Sequence, residues 1–227
     1  MSIQSISNKP VIVTPGDPSG IGPELTLKAA QVCHTPFVVI ADIDYMKKLS
    51  AELGLDLAIH PWKLDQKLKS KTLSVIQHKW SGKIEPGKPD EKNSTDILST
   101  IKSAVELVKM GSACALVTNP INKFVLYESG FKYPGHTEYL ASLSNKKKYS
   151  VMMLANNHLR VIPVTTHNAV AKIPELLTFD SIYQTIIVAK QDLHQFFGIS
   201  EPKIAVCGLN PHAGERGKLG NEDETIV

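Results

Sequence analysis

The 227-residue sequence is poor in cysteine, in aromatic residues and in charge of one sign. It has 3 cysteines and no CxxC pair, which argues against a disulfide scaffold and fits a reducing compartment. A formal net charge of +3 falls short of the clustered positive charge typical of nucleic-acid binders. No apolar run approaches the roughly 18 residues that span a bilayer, and residues 1–10 lack the apolar core of a signal peptide. We therefore expect a cytoplasmic protein without nucleic-acid or membrane partners.

Short apolar runs alternate with longer stretches of helical period along the chain. This alternation predicts βαβ units and a largely parallel or mixed sheet, hence an α/β fold. Cys114 and Cys207 lie in apolar, strand-like runs, which predicts buried thiols. Residues 63–93 predict a surface excursion with one hairpin strand, Ser74–His78. The other predicted strands are Val11–Val13, Phe37–Ala41, Leu57–His60, Ala113–Thr118, Val151–Leu154, Arg160–Val164 and Lys203–Gly208, and the predicted helices are Glu24–Val32, Thr95–Met110 and Ser181–Phe197.

The segment Thr14–Glu24 is a glycine-rich turn between the first predicted strand and the first predicted helix. Its glycines permit a close approach of backbone to a ligand, and free N–H groups at the helix start would favour an anion. The segment is neither a Walker loop nor a GxGxxG fingerprint, because it lacks the Lys-Ser/Thr pair and its glycine spacing differs. A tight turn that simply needs glycine explains the same residues.

Two polar segments follow near the middle of the chain. Asn122 and Lys123 come just after a predicted strand, at the edge where open α/β sheets bind ligands; Asn-Pro turn chemistry with an exposed lysine is the alternative. His136 and Thr137 follow a Pro-Gly turn at the start of a predicted helix that runs through Leu143. Thr137 can cap that helix, and His136 is either a surface residue or a ligand contact.

Two histidines lie where apolar strands are predicted to end, His167 after Val164-Thr165-Thr166 and His212 within Gly208–Glu215. Imidazole is a common ligand for Zn, Fe, Co and Ni, so the two side chains can converge on one cation. Their separation in sequence matches no local zinc signature, and two unrelated histidines remain the alternative. The other histidines have no such setting and are expected to be structural or exposed: His34, His60, His78, His158 and His194.

Taken together, these segments resemble the 4-hydroxythreonine-4-phosphate dehydrogenase family over nearly the whole chain. The run Gly-Leu-Asn-Pro-His-Ala-Gly-Glu at Gly208–Glu215 is highly characteristic of that family. The glycine-rich turn is also similar to that of isocitrate and isopropylmalate dehydrogenases, which implies an α/β/α fold of two subdomains, 1–128 and 129–227. The segments that carry the resemblance, in family order, are Thr14–Glu24, Val117–Lys123, Tyr133–Tyr139, Val151–Leu154, Thr165–His167 and Gly208–Glu215.

The resemblance implies a role for several residues. His167 and His212 match two of three metal-binding histidines, and His136 and Thr137 match substrate-binding positions. The implied reaction is the NAD-dependent (or NADP-dependent) oxidation of 4-phosphooxy-L-threonine with a divalent metal such as Zn, Mg or Co. Decarboxylation then gives 3-amino-2-oxopropyl phosphate, in pyridoxine 5'-phosphate synthesis. The resemblance also implies a homodimer with its active site at the interface.

The chain departs from the family in length. Family members are longer, and their third metal histidine, in a His-Asp-Gln segment, would lie beyond Val227. We therefore expect a fragment or a shortened gene product that binds metal weakly or not at all. Two alternatives stay open: a paralogue that oxidises 4-phospho-threonate or 4-phospho-erythronate, and a non-catalytic remnant that binds metal or phosphate.

Overall fold

A computed structural model of the chain describes residues 9–64, 66–144 and 149–227. The chain divides into two compact units, a first unit of Met1–Asn145 and a second unit of Lys146–Val227. The subdomain boundary expected after residue 128 falls inside the first unit and stays a prediction.

A five-stranded parallel sheet forms the centre of the first unit, in the strand order β3-β4-β2-β1-β5. The α/β class expected from the alternation of strands and helices is confirmed. The strands are β1 (Val11–Thr14), β2 (Phe37–Ala41), β3 (Ala58–Pro61), β4 (Thr72–Gln77) and β5 (Ala115–Thr118). The helices are α1 (Gly22–Val32), α2 (Ile43–Glu52), α3 (Ser94–Lys109), α4 (Lys123–Glu128) and α5 (His136–Leu143), with a 3-10 turn at Glu91–Asn93.

Both faces of the sheet are covered, as parallel sheets require. Successive side chains of a strand point to opposite faces. Val13 and Val39 pack with Leu27 of α1 and Met46 of α2 in one core cluster. On the other face, Ile12, Val38 and Ile40 pack with Ala104 of α3. The first unit is therefore a three-layer α/β/α arrangement.

Strand β4 lies inside the sheet, where a hairpin strand was predicted. It pairs in parallel with β2 on one side and β3 on the other, and the side chains of Leu73 and Val75 are fully buried. A hairpin requires antiparallel neighbours, so the hairpin prediction is wrong although the strand itself is present. The order of strands depends on tertiary packing, which a local apolar pattern does not encode.

The glycine- and proline-rich stretch after β4 lies against the glycine-rich turn. The backbone N–H of Gly87 donates to the carbonyl oxygen of Ser19 at 2.8 Å, and the N–H of Glu85 donates to the Ser19 hydroxyl at 3.4 Å. Ser19 is buried as a result. The predicted surface excursion thus covers part of the turn between β1 and α1.

Most of the regular secondary structure in the described part of the second unit is helical. Its longest helix has a capping box at Thr178 and Ser181 and ends at Gly198, which adopts the left-handed conformation that favours glycine. The short strands β6 (Leu154–Ala155) and β7 (Arg160–Val161) pair antiparallel. Its helices are α6 (Ile173–Leu176), α7 (Phe179–Phe197) and α8 (Glu222–Thr225), with 3-10 turns at Val170–Lys172 and Ala213–Glu215.

The strand predicted at Lys203–Gly208 is absent, and these residues are exposed and irregular. An apolar run forms a strand only where another strand offers its edge, and among the described residues of this unit the only such pair is β6 with β7. Cys207 is consequently exposed, which corrects the predicted buried thiol, whereas Cys114 is half-buried. Within the described residues, no helix has the length and apolar character needed to cross a membrane.

Two leucines on α1 allow the effect of burial on stability to be measured with the same substitution in the same helix. Leu27 is fully buried, whereas Leu25 on the same helix is 46% exposed. We expect Leu27→Ala to lower the free energy of unfolding by about 2–5 kcal/mol and Leu25→Ala by about 0.5 kcal/mol or less. Urea unfolding followed by tryptophan fluorescence checks this, because the 2 tryptophans, Trp62 and Trp80, both lie in the first unit. Similar losses for the two variants would contradict the assigned core.

Candidate functional site

The carboxyl ends of β1 and β5 lie side by side, because Val11–Thr14 pair with Ala115–Thr118. The chain leaves β1 toward β2 on one side and later returns to β5 on the other side. In open α/β sheets, such a reversal of strand order opens a crevice at the carboxyl ends of the strands, where ligands bind. The residues that follow β1 and β5 are therefore candidates for ligand contacts.

The glycine-rich turn crosses the end of β5 at very short range. The N–H of Asp17 donates to the carbonyl oxygen of Pro120 at 3.0 Å. A Cβ on Gly16 would overlap that same carbonyl, and Gly16 has a φ of +69°. A Cβ on Gly22 would overlap the carbonyl oxygen of Pro15 and lie 2.9 Å from the Cβ of Asn119. Both glycines are thus required by backbone packing.

Asn119 links the ends of β1 and β5 through hydrogen bonds. Its side-chain amide donates to the carbonyl oxygen of Thr14 at 3.0 Å and to the hydroxyl of Thr26 at 2.9 Å. The Thr26 hydroxyl in turn donates to the carbonyl oxygen of Gly22 at 2.8 Å. This chain of hydrogen bonds joins the end of β5 to the first turn of α1. Asn119 lies in a segment that the sequence marks as polar, yet its structural role depends on a contact with β1 that no local pattern shows.

The turn uses several of its own N–H groups, which favours the tight-turn interpretation over an anion cradle. The N–H of Ser19 donates to the Asp17 carboxylate at 2.9 Å, and the N–H of Gly20 donates to the Asp17 carbonyl oxygen at 3.0 Å. Asp17 is only 5% exposed. Burial raises the pKa of its carboxyl group, and the hydrogen bond from Ser19 partly opposes that shift.

Asn122 and Lys123 have different environments at the start of α4. The Asn122 side chain accepts a hydrogen bond from the N–H of Val125 at 3.3 Å and so caps the helix. Lys123 is exposed, and its ammonium lies 3.7 Å from the place where a Cβ on Gly135 would be. Turn chemistry therefore accounts for Asn122, whereas Lys123 faces the turn that precedes His136.

His136 is the first residue of α5 and is half-buried. Its Nε2 atom is buried and has no hydrogen-bond partner. Burial lowers the pKa of the imidazole, and the positive charge of Lys123 lowers it further. The surface interpretation of His136 is not supported, because a surface imidazole would direct this nitrogen to water.

Thr137 does not cap α5, which corrects the predicted capping role. The residue before the helix is Gly135, in an extended conformation, and no side chain caps the helix start. Thr137 is one residue into the helix and its side chain is exposed. A cap requires the non-helical residue that immediately precedes the helix, and Gly135 occupies that place.

His167 and His212 both lie in exposed loops of the second unit. His167 has a φ of +59°, and the residue after His212, Ala213, has a φ of +47°. Non-glycine residues rarely adopt this left-handed conformation, and functional sites are enriched in such backbone. The Nδ1 atom of His212 lies 3.4 Å from a carboxylate oxygen of Glu215, and the His212 side chain is 67% exposed.

The loop that carries His212 is held by a residue outside the motif. Both carboxylate oxygens of Asp223 accept backbone hydrogen bonds, from the N–H of Leu209 at 2.7 Å and from the N–H of Asn210 at 2.9 Å. The Asn210 side chain then accepts from the N–H of His212 at 2.9 Å. Asp223 is a supporting residue without a sequence signal, because it acts through a tertiary contact.

Across residues 9–64, 66–144 and 149–227, no group of three or more His, Cys, Asp or Glu side chains is arranged to hold a metal ion. The structure places His167 and His212 in one unit, and it places His136 and Thr137 together at the start of α5.

A matching family model and curated relatives indicate the family of the chain. The family model described as "Pyridoxal phosphate biosynthetic protein PdxA" matches residues 32–227. A 4-hydroxythreonine-4-phosphate dehydrogenase of Methylorubrum extorquens is 40% identical over 232 residues, covering 97% of this chain and 66% of that protein. One of Yersinia enterocolitica is 37% identical over 225 residues, covering 97% of this chain and 68% of that protein.

The fold is also that of a solved structure. A crystal structure of 4-hydroxythreonine-4-phosphate dehydrogenase from Klebsiella pneumoniae superposes with a TM-score of 0.88 at 33% identity. The match covers 96% of this chain and 69% of that one. The chain spans about 66% of the length of the curated relatives it matches first.

Alanine substitutions at two glycines of the first unit allow the cost of backbone strain to be separated from the cost of steric overlap. Gly16 and Gly54 both have a positive φ, but a Cβ on Gly54 would meet nothing within 4 Å. We expect Gly54→Ala to cost about 1–2 kcal/mol of unfolding free energy from strain, and Gly16→Ala to cost about 1–3 kcal/mol more from the overlap with Pro120. Tryptophan-fluorescence unfolding measures both. Equal costs would show that the turn does not press on the end of β5.

Proposed function

The chain belongs to the PdxA family of pyridoxal phosphate biosynthetic proteins, and from that premise we propose that it oxidises 4-phosphooxy-L-threonine with NAD and a divalent metal ion. The oxidised acid loses CO2 to give 3-amino-2-oxopropyl phosphate, a precursor of pyridoxine 5'-phosphate. The observation that carries the proposal is the agreement in name of relatives that match 97% of the chain.

We propose His167 and His212 as the metal-binding residues that this chain contributes. Two imidazoles suit borderline ions such as Zn²⁺ and Co²⁺. The carboxylate of Glu215 beside Nδ1 of His212 matches the usual arrangement of a metal-binding histidine, whose other nitrogen donates to an acidic group. The positive φ of His167 and Ala213 supports a functional role for both loops, because strained backbone persists where function retains it.

We assign the anionic part of the substrate to His136 and Thr137. The buried Nε2 of His136 lacks a partner in the protein, so a substrate oxygen would satisfy it. Thr137 is exposed beside it and offers a hydroxyl. The neutral imidazole that burial favours can donate one directed hydrogen bond without adding charge.

The bound metal would act as a Lewis acid at the substrate hydroxyl, and the bound nicotinamide would accept the hydride from C3. The substrate loses a proton from its C3 hydroxyl and a hydride from C3, which leaves a ketone beta to the carboxylate. Breaking the bond to the carboxylate then releases CO2, and the electron pair passes toward the ketone to give an enolate. A proton added to the carbon that carried the carboxylate completes the amino ketone. The part proposed for this chain's residues is to hold the phosphorylated acid in one orientation during both steps.

We also propose that the protein works in a reducing compartment and forms a homodimer. Cys33, Cys114 and Cys207 are free thiols, which supports a reducing, cytoplasmic setting. The homodimer implied by the family resemblance stays a proposal. Exposed aromatic side chains on α7 provide the second unit with apolar surface for an interface: Phe179, Tyr183, Phe196 and Phe197.

Cobalt binding tests the two histidines as a pair. We expect Co²⁺ to bind this chain weakly, since only two of the three implied histidines are present, and to shift the imidazole NMR signals of His167 and His212 over the same concentration range. Removing either histidine should raise the Co²⁺ concentration that shifts the NMR signal of the remaining histidine by at least about tenfold. Loss of even a supporting partner of a metal ligand typically costs 10–100-fold in metal affinity.

His194→Ala is the matched control, since His194 is an exposed histidine on α7 of the same unit. It should leave the response of His167 and His212 unchanged. Independent titration of His167 in the His212→Ala variant would show that the two imidazoles do not share an ion.

Turnover tests the reaction. In the full-length enzyme we expect NADH formation with 4-phosphooxy-L-threonine in the presence of a divalent metal, and a kcat/KM reduced about tenfold or more in His136→Ala, because a lost hydrogen bond to a charged group costs about 1.5–3 kcal/mol. Metal affinity should stay normal in that variant. Preferential turnover of 4-phospho-threonate or 4-phospho-erythronate would instead identify a paralogue, and phosphate or metal binding without turnover would identify a non-catalytic protein.

A further inference from the structure

Lys123 lies beside His136 although the two residues belong to different helices. Lys123 begins α4 and His136 begins α5. The aromatic ring of Phe131 packs against the rings of Tyr133 and Tyr139, with centroids 5.4 and 5.3 Å apart, and so holds the α4–α5 connection to α5. The Lys123 ammonium consequently lies 3.7 Å from the Cβ position of Gly135, directly before His136.

The two side chains offer complementary interactions. His136 presents a buried Nε2 without a hydrogen-bond partner, and an unmet buried polar atom costs free energy that a ligand can recover. Lys123 is exposed and forms no salt bridge among the ion pairs of the described residues. The positive charge of Lys123 therefore lies close enough to the imidazole of His136 to act on it electrostatically.

We propose that Lys123 is a further substrate-binding residue, and that its ammonium and the imidazole of His136 together receive the phosphate group of the substrate. The inference rests on the proposed function, which places the substrate at His136. A phosphate monoester carries about −1.5 to −2 charges at neutral pH, and lysine binds phosphate as a compact point charge. Lys123 supplies the charge, and His136 supplies the oriented hydrogen bond.

The charge of Lys123 also acts on His136 itself. Burial is the main cause of the lowered pKa of His136, and the ammonium of Lys123 lowers that pKa further. The imidazole is thereby kept neutral at neutral pH, so that the site has one fixed cation. Glu138 is the other charged group nearby, with a carboxylate oxygen 3.7 Å from the same Cβ position of Gly135. If Lys123 served only to balance Glu138, its removal would change stability and leave phosphate binding intact.

The experiment titrates inorganic phosphate into the 227-residue chain at constant ionic strength and follows the His136 imidazole by NMR. We expect phosphate to shift this signal, and Lys123→Gln to weaken phosphate binding about tenfold or more, as expected for a lost charge-assisted bond. Lys123→Arg should retain binding, because the positive charge remains. Lys132→Gln is the matched control, since Lys132 is an exposed lysine between the same two helices.

A second measurement uses the pKa of His136 without phosphate. Lys123→Gln should raise this pKa, because the neighbouring positive charge is gone, but should leave it below the ordinary value since the burial is unchanged. Lys132→Gln should not move it. If Lys123 had only a structural role, Lys123→Gln would lower the melting temperature without raising the pKa of His136 selectively.

The outcomes separate this inference from the proposed function. Equal phosphate affinity in the wild type and Lys123→Gln, with a shifted His136 signal in both, would show that Lys123 does not bind phosphate. The assignment of His136 to the phosphate site would stand. A His136 signal that responds to acetate and 4-phosphooxy-L-threonine but not to phosphate would overturn the assignment of the phosphate group. If none of these ligands moves the signal, the substrate site at His136 fails as well.

Discussion

Steric exclusion where the glycine-rich turn crosses the end of β5 sets the geometry of the first unit's candidate site. The backbone at Gly16 and Asp17 lies against Pro120, and the amide of Asn119 reaches back to β1 and α1. These contacts fix the end of β5, from which the chain continues to Lys123 and α4. Phe131 stacks on Tyr127 of α4 and packs against Tyr139 of α5, and these contacts fix the start of α5 relative to α4. The place of His136 thus depends on a hydrogen-bonded crossing far from it in sequence.

The elements of the first unit could be predicted because local pattern and tertiary packing agree there. Phe37–Ala41 and the helix ending near Gly111 follow directly from apolar periodicity and glycine. The hairpin predicted at Ser74–His78 was wrong, since the order of strands depends on which edges of the other strands are free for pairing. The strand predicted at Lys203–Gly208 was wrong for a related reason, because an apolar run does not form a strand without a paired edge. Asp223 and Asn119 act through contacts between distant segments, so no local motif reveals their roles. The motifs located His136 and Thr137 correctly at one helix start, but the burial of Nε2 and the proximity of Lys123 required coordinates.

The second unit concentrates unusual backbone at its motif. Residues 213–217 are consecutively left-handed, and three of them, Ala213, Glu215 and Arg216, are not glycine. Such conformations cost free energy of about 1–3 kcal/mol each and persist where surrounding interactions determine them. The carboxylate of Asp223 supplies part of that determination by binding two consecutive N–H groups of the loop. The first unit therefore holds its candidate residues by close packing, whereas the second holds them through hydrogen bonds to an exposed loop.

The position of β1 between β2 and β5 has a consequence for biosynthesis. Val11 pairs with Phe37 on one side and with Ala115 on the other, so one edge of β1 can be filled early and the other only much later. At about 5–20 residues per second, the ribosome takes several seconds to deliver β5 after β2. During that interval the nascent chain exposes an apolar strand edge of the kind that chaperones recognise and that seeds aggregation. The glycine-rich turn cannot reach its final conformation until Pro120 has been made, so the first unit's candidate site can be completed only after the whole sheet has been synthesised.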